Sequence, residues 1–179
     1  MRFGNPSTFA IDVMTEPHLT VPSAVWGRMC IRLPEATIGD YADEHCALFP
    51  VYRQFSTLVE SLESRWDEAF HDWSDEQILQ KLYEVLWQGG SSNSETDQGL
   101  IRFGKFFFLD SQSGDQFNGY FSFLIRRPNG TVTILYKLRD YQHNNGPQGA
   151  ATIDQTEFCG TVKQFLNWFD SEQKRLQGE

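Results

Sequence analysis

Five short stretches of this 179-residue sequence hold side chains whose types can do chemistry. His45 and Cys46 are adjacent metal-ligating types, but no second pair stands at ligand spacing, so zinc is not expected. His71, in "EAFHDWSDE", sits among carboxylates that could tune it as an acid or base. A histidine in that setting is ordinarily a solvated surface residue. Asp140, Tyr141 and His143 fall in "RDYQHNNG" (139–146), a polar stretch after a strand, where enzymes often place functional groups; a polar loop without function explains it equally well. Arg126 and Arg127 precede a turn and could hold a phosphate, or guard a sheet edge with charge. There is no nucleophile-elbow motif, no phosphate-cradling glycine loop and no H-E-x-x-H. No catalytic residue, metal or cofactor is therefore expected.

The fifth stretch differs in kind. "WDEAFHDWSDEQILQKLYEVLW" (66–87) interleaves Trp66, Phe70, Trp73 and Trp87 with Asp67, Glu68, Asp72, Asp75, Glu76 and Glu84. Aromatic anchors ringed by charge are what protein interfaces concentrate. The other reading turns the tryptophans inward and uses the carboxylates at a helix N-terminus, where negative charge is favoured. Trp66, Asp67, Glu68, Asp72, Trp73 and Glu84 form the candidate partner-binding set.

Composition narrows the class of function. The formal net charge is −9, and residues 60–99 carry ten acids against two bases, so this segment alone contributes −8. Nucleic acid and anionic membrane are disfavoured as partners, since phosphate binding needs basic surface. An acidic patch attracts a basic partner, or simply keeps a face soluble. Apolar residues make up 40% and aromatics 15%, a load that specifies a packed globular protein. No apolar run approaches the roughly 20 residues a membrane helix needs. The first residues, "MRFGNPSTFAID", lack the apolar core of a secretory signal. Three cysteines at unrelated spacings fit a reducing cytoplasm better than a disulfide framework.

The elements that must position these residues follow from periodicity. Phe9, Ile11 and Val13 alternate along a half-buried strand. In "VWGRMCIRL", Val25, Met29, Ile31 and Leu33 face one way, and Trp26, Arg28, Cys30 and Arg32 the other. Apolar residues at three-to-four spacing predict helices over about 49–64 and from Ser74 to Gly89-Gly90, the second opened by a capping box of Ser74 and Gln77. "GGSSNSETDQG" (89–99) reads as a loop and "IRFGKFFFLD" as a buried strand. "GYFSFLIRRPNGTVTILYKLRD" reads as a hairpin turning at Pro128-Asn129-Gly130, and "HNNGPQGAAT" as a second loop. A last helix is capped by Asp154 with Glu157 as box partner, its core stripe running through Phe158, Val162, Phe165, Leu166 and Phe169. Segregated strands and helices predict an α+β fold, a mostly antiparallel sheet with helices packed on it, in one domain over 1–179.

"FGNPSTFAID" (3–12) followed by "WGRMCIRLPEATIGDY" (26–41) resembles the opening of the bacterial family catalogued as immunity protein 42, encoded beside polymorphic toxins. The likeness is carried by Gly4, Pro6, Phe9, Ala10, Ile11, Gly27, Arg28, Gly39 and Asp40. Those residues have structural explanations: a close approach at Gly27, turn geometry at Gly39-Asp40, a cross-hairpin pair between Arg28 and Asp40. The resemblance implies a cytoplasmic, non-enzymatic protein that binds and neutralises a cognate toxin domain. The acidic segment points to a basic toxin surface. The rival expectation is a small enzyme or small-ligand-binding protein with its pocket near the Phe-rich sheet and the 139–146 loop.

Overall fold

The alternation at Phe9, Ile11 and Val13 builds the second strand of an antiparallel sheet, in a computed structural model that describes residues 1–88, 94–139 and 146–178. Its strands are β1 (Arg2–Asn5), β2 (Phe9–Thr15), β3 (Trp26–Arg32), β4 (Thr37–Ile38) and β5 (Cys46–Ala47). They run in the order β1-β2-β3-β4, with β5 also pairing to β3. After α1 (Phe49–Glu60), short turns lead to α2 (Asp75–Tyr83) and α3 (Ser94–Phe103). A second antiparallel sheet follows, β6 (Tyr120–Arg126), β7 (Thr131–Leu138) and β8 (Gln148–Asp154), in that order, and α4 (Gln155–Gln177) ends the described chain. The α+β expectation holds, with two antiparallel sheets and four α-helices among the described residues.

The second sheet is covered on both faces. Leu124, Val132, Ile134 and Tyr136 join a cluster with Phe9, Phe55, Phe158 and Phe165. Phe123, Ile125 and Leu135, pointing the other way as pleating requires, join Phe70, Ile78, Leu82, Phe103 and Phe106. One helical layer, α1 and α4, thus seals the two sheets together, while α2 and α3 close the far side. Burial on both sides also explains β2, where Phe9 to Val13 are all buried instead of alternating. The outer-facing Asp12 is covered by guanidinium groups, Arg2 Nε at 2.6 Å and Arg32 Nε at 2.9 Å.

Local chemistry sets the element ends. Gly130 takes φ +82° and its N–H returns to the Arg127 carbonyl at 3.0 Å, closing the β6–β7 hairpin as read from Pro-Asn-Gly. The Ser74–Gln77 capping box is present in both directions. Asp154 caps α4 by accepting from the N–H groups of Thr156 and Glu157. Glu157 instead accepts the hydroxyl of Thr8, tying α4 to the β1–β2 turn. At Gly27 a Cβ would lie 2.2 Å from the Met14 carbonyl oxygen, so the close approach of β2 requires glycine there.

Several expectations are corrected. "IRFGKFFFLD" is not a strand: α3 continues to Phe103 and a 3₁₀ turn spans Gly104–Phe106. The helical i,i+3 spacing of Phe103 and Phe106 sets both rings on Phe70, at 5.9 and 5.3 Å between centroids. Phe107 keeps one isolated bridge to Phe123. The 89–99 loop is helical from Ser94, and its first five residues lie outside the described residues. The third strand of the second sheet is β8, from a stretch read as a loop; Ala and Gly leave it little apolar alternation, and pairing with β7 makes it a strand. The first helix ends at Glu60, and a separate 3₁₀ turn carries Leu62–Ser64. The second helix is α-helical only to Tyr83 and then widens into a π-turn over Glu84–Gln88. Arg28 pairs with Glu44 and not with Asp40. Asp40 serves the turn instead, accepting the Ala42 N–H at 2.8 Å.

Candidate interaction surface

Residues 66–87 sit on the far side of the second sheet, and the structure sorts the six candidates into two groups. Trp66 and Trp73 are half-buried against Phe70, with ring centroids 6.1 and 5.7 Å away. Trp66 turns its indole N–H into a buried position with no acceptor among the described residues, and its carbonyl accepts from Lys105 Nζ at 2.9 Å. Asp67 caps the 3₁₀ turn Glu68–Phe70 through the Ala69 N–H at 3.0 Å and takes both sides of the Arg102 guanidinium, with Nε at 2.6 Å. That partner holds its carboxyl below the usual range. Trp66 and Asp67 are therefore the foundation of the surface.

Glu68, Asp72 and Glu84 are exposed, the Asp72 side chain to 93%. Asp72 bonds the neighbouring His71 at 2.9 Å, which raises that imidazole's pKa. Glu84 accepts from Gln80 one helical turn back, at 2.7 Å. Trp73 and Glu84 meet Glu76, Gln77, Gln80 and Lys81 around a groove of about 540 Å³ along α2. The surface thus presents carboxylates around a partly exposed indole.

Asp67→Ala is expected to lower stability by about 1–2 kcal/mol, the combined scale of a lost cap and a lost, half-exposed ion pair. Because the folded carboxyl has the lower pKa, this stabilisation is complete above its unfolded value near 3.9 and fades as pH falls through the folded value. Denaturant midpoints at pH 7 and at pH 3 check it: the variant's deficit should shrink in acid.

The other stretches resolve into structure. His45 stacks on Trp26 at 4.8 Å with its Nδ1 2.5 Å from Glu16, and burial pushes the Cys46 thiol up to about 11. Among the described residues no three metal-ligating groups converge. Arg126 reaches Glu63 at 3.2 Å and Gln155 at 3.0 Å; Arg127 pairs with Asp75 and thereby bolts the hairpin to α2. Asp140, Tyr141 and His143 lie outside the described residues. The face of β3 that carries Trp26, Arg28 and Arg32 is spoken for as well, with Trp26 on His45, Arg28 on Glu44 and Arg32 on Asp12.

One group escaped the sequence reading. Arg65 stands inside the most acidic segment, yet it is 4% exposed and bonds backbone carbonyls: that of Phe107 at 3.2 Å and that of Lys105. Counting charge along the chain hides it, because its burial is decided by residues 40 positions away.

A fold of this kind has a solved counterpart: the crystal structure of CdiI from Burkholderia dolosa AUO158 superposes with a TM-score of 0.65 at 18% identity, covering 94% of this chain and 99% of that one. No curated protein matches the chain. The family model for immunity protein 42 matches residues 1–168, and the chain belongs to that family. It is an immunity protein, a protein that neutralises a toxin. Among the described residues no helix is long and apolar enough to cross a membrane.

Proposed function

We propose that this immunity protein acts in the cytoplasm by stoichiometric binding, with no reaction of its own, and that it covers a basic surface of its cognate toxin domain. The observation that carries the reading is the set of exposed carboxylates, Glu68, Asp72 and Glu84, in the segment that also holds the half-buried Trp73, with Glu84 and Trp73 on one groove. Such charges raise the encounter rate with a cationic partner, and a ring already held on one side loses little freedom when a partner buries the other. Trp66 and Asp67 support this face from beneath. A basic partner surface is what phosphate-binding toxins such as nucleases present.

The test is to titrate the toxin domain encoded beside this gene with the purified protein and follow the toxin's activity. Inhibition should reach its end point at one equivalent. Loss of toxin activity at a small fraction of an equivalent would mean that the protein acts catalytically, and no loss at any ratio would remove the pairing.

A further inference from the structure

A cavity of about 910 Å³ is lined by charge opposite in sign to that of the acidic segment. Its walls come from the first turns of α1, from the π-turn at Trp87, and from the stretch Gly104–Ser113. Arg53, Arg65 and Lys105 line it, with Asp110 as the one carboxylate among its described lining residues. Asp110 is buried and already accepts from the Gln112 N–H at 2.9 Å.

Arg65 is the telling group. It is more than nine-tenths buried, and the bonds it makes, to the carbonyls of Lys105 and Phe107 and to Ser61 Oγ at 3.3 Å, all go to neutral acceptors. No carboxylate among the described residues ion-pairs with it, and desolvation alone pushes its guanidinium down to about 10, still charged at neutral pH. A buried charge held by neutral groups is costly and is ordinarily matched by a counter-charge. The carbonyl bonds hold the guanidinium rigidly at the cavity wall, a geometry suited to an oxyanion. Lys105 Nζ, bound to the Trp66 carbonyl, and the exposed Arg53 add two further positive charges. Phe49 and Pro50 bring the N-terminal end of α1, which has no side-chain cap, to the same space, where the helix dipole favours an anion.

We infer that this cavity is an oxyanion-binding site, receiving a carboxylate or phosphate group on the fixed guanidinium of Arg65, with Arg53 and Lys105 closing around it. The group comes either from a free small anion or from an acidic side chain of the bound toxin, since Lys105 of the cavity wall also holds the Trp66 carbonyl of the candidate surface. The source in the toxin rests on the function proposed above; the site itself does not.

Calorimetric titration of the protein alone with pyrophosphate and with citrate, at ionic strength held constant with sodium chloride, tests the site. Saturable binding is expected, weakened at least tenfold by Arg53→Glu and by Lys105→Gln. Both are exposed positions, and a thermal melt confirms the fold of each variant. Arg65→Gln withdraws the charge while keeping an amide donor, and in a folded variant it should abolish binding. No saturable binding beyond the chloride control, or equal binding in the Arg53 and Lys105 variants, overturns the site. The source is read from toxin association in saturating pyrophosphate: competition assigns the oxyanion to the toxin, and simultaneous binding assigns it to a free ligand. If the toxin does not bind at all, the function proposed above fails while the titration still decides the site.

Discussion

Changing Glu68, Asp72 and Glu84 together to Lys is expected to slow association with the toxin domain by at least tenfold at low salt and to remove most of the salt dependence of the rate. The three reversals move the formal net charge from −9 to −3, each changing it by two. All of that change falls within the segment 68–84, at exposed positions. Steering by such a face contributes on the order of 10 to 10³ in association rate, and it decays over a Debye length of roughly 8 Å at physiological ionic strength. The fold should survive, because the bonds these side chains make are local and exposed: Asp72 with His71, Glu84 with Gln80. Asp67 is left out because its reversal would break the cap and the Arg102 pair, so that lost binding would report lost structure. Stopped-flow association at two salt concentrations reads the effect. An unchanged rate in a folded variant would move the interface elsewhere, most simply to the strand block around Arg126, Arg127 and Arg139.

The second large effect concerns α4. Phe165 is fully buried, its ring centroid 5.5 Å from that of Phe55, 5.7 Å from that of Trp168 and 6.3 Å from that of Phe3, so it joins α1, β1 and its own helix in one aromatic set. Phe165→Ala should cost about 3–5 kcal/mol, since the surrounding aromatics cannot close the void. Against a total stability of roughly 5–15 kcal/mol, that is a large share. Deleting residues 154–179 removes Phe165 itself, uncovers Phe9 and Phe55, and should abolish soluble folding. Urea denaturation of the point variant and a thermal melt of the truncated chain check both. A truncated chain that melts cooperatively at the original temperature would show that α4 is not part of the core.

Much of this architecture was legible because local rules and tertiary packing agree. Ser74 and Gln77, Asp154, and the Pro128–Gly130 turn each specify their geometry within four residues, and each is found. The misses share another cause. At "IRFGKFFFLD" consecutive aromatics satisfy both periods, and only the partner ring of Phe70, some thirty residues earlier, selects the helical one. At β8 the signal is nearly absent from the strand itself and lies in the edge of β7 waiting to be paired. The candidate surface was half legible. Exposed carboxylates declare themselves by composition, but Asp67 looks no different from Asp72 until Arg102 is seen beside it. Arg65 was invisible for the same reason, being a cation in an acidic run whose carbonyl partners, at Lys105 and Phe107, lie some 40 residues further along the chain. The glycines that carry the family likeness proved structural, as at Gly27 against Met14 and at Gly39, whose φ of +98° shapes the turn before Asp40.

Backbone hydrogen exchange of the protein, free and in complex with its toxin domain, tests the central claim most directly. Slowed exchange is expected across residues 66–87 on binding, strongest around Trp73 and along α2, with β1 to β3 unchanged. Protection confined to the first sheet or to the β6–β7 hairpin, with residues 66–87 exchanging as in the free protein, would contradict it.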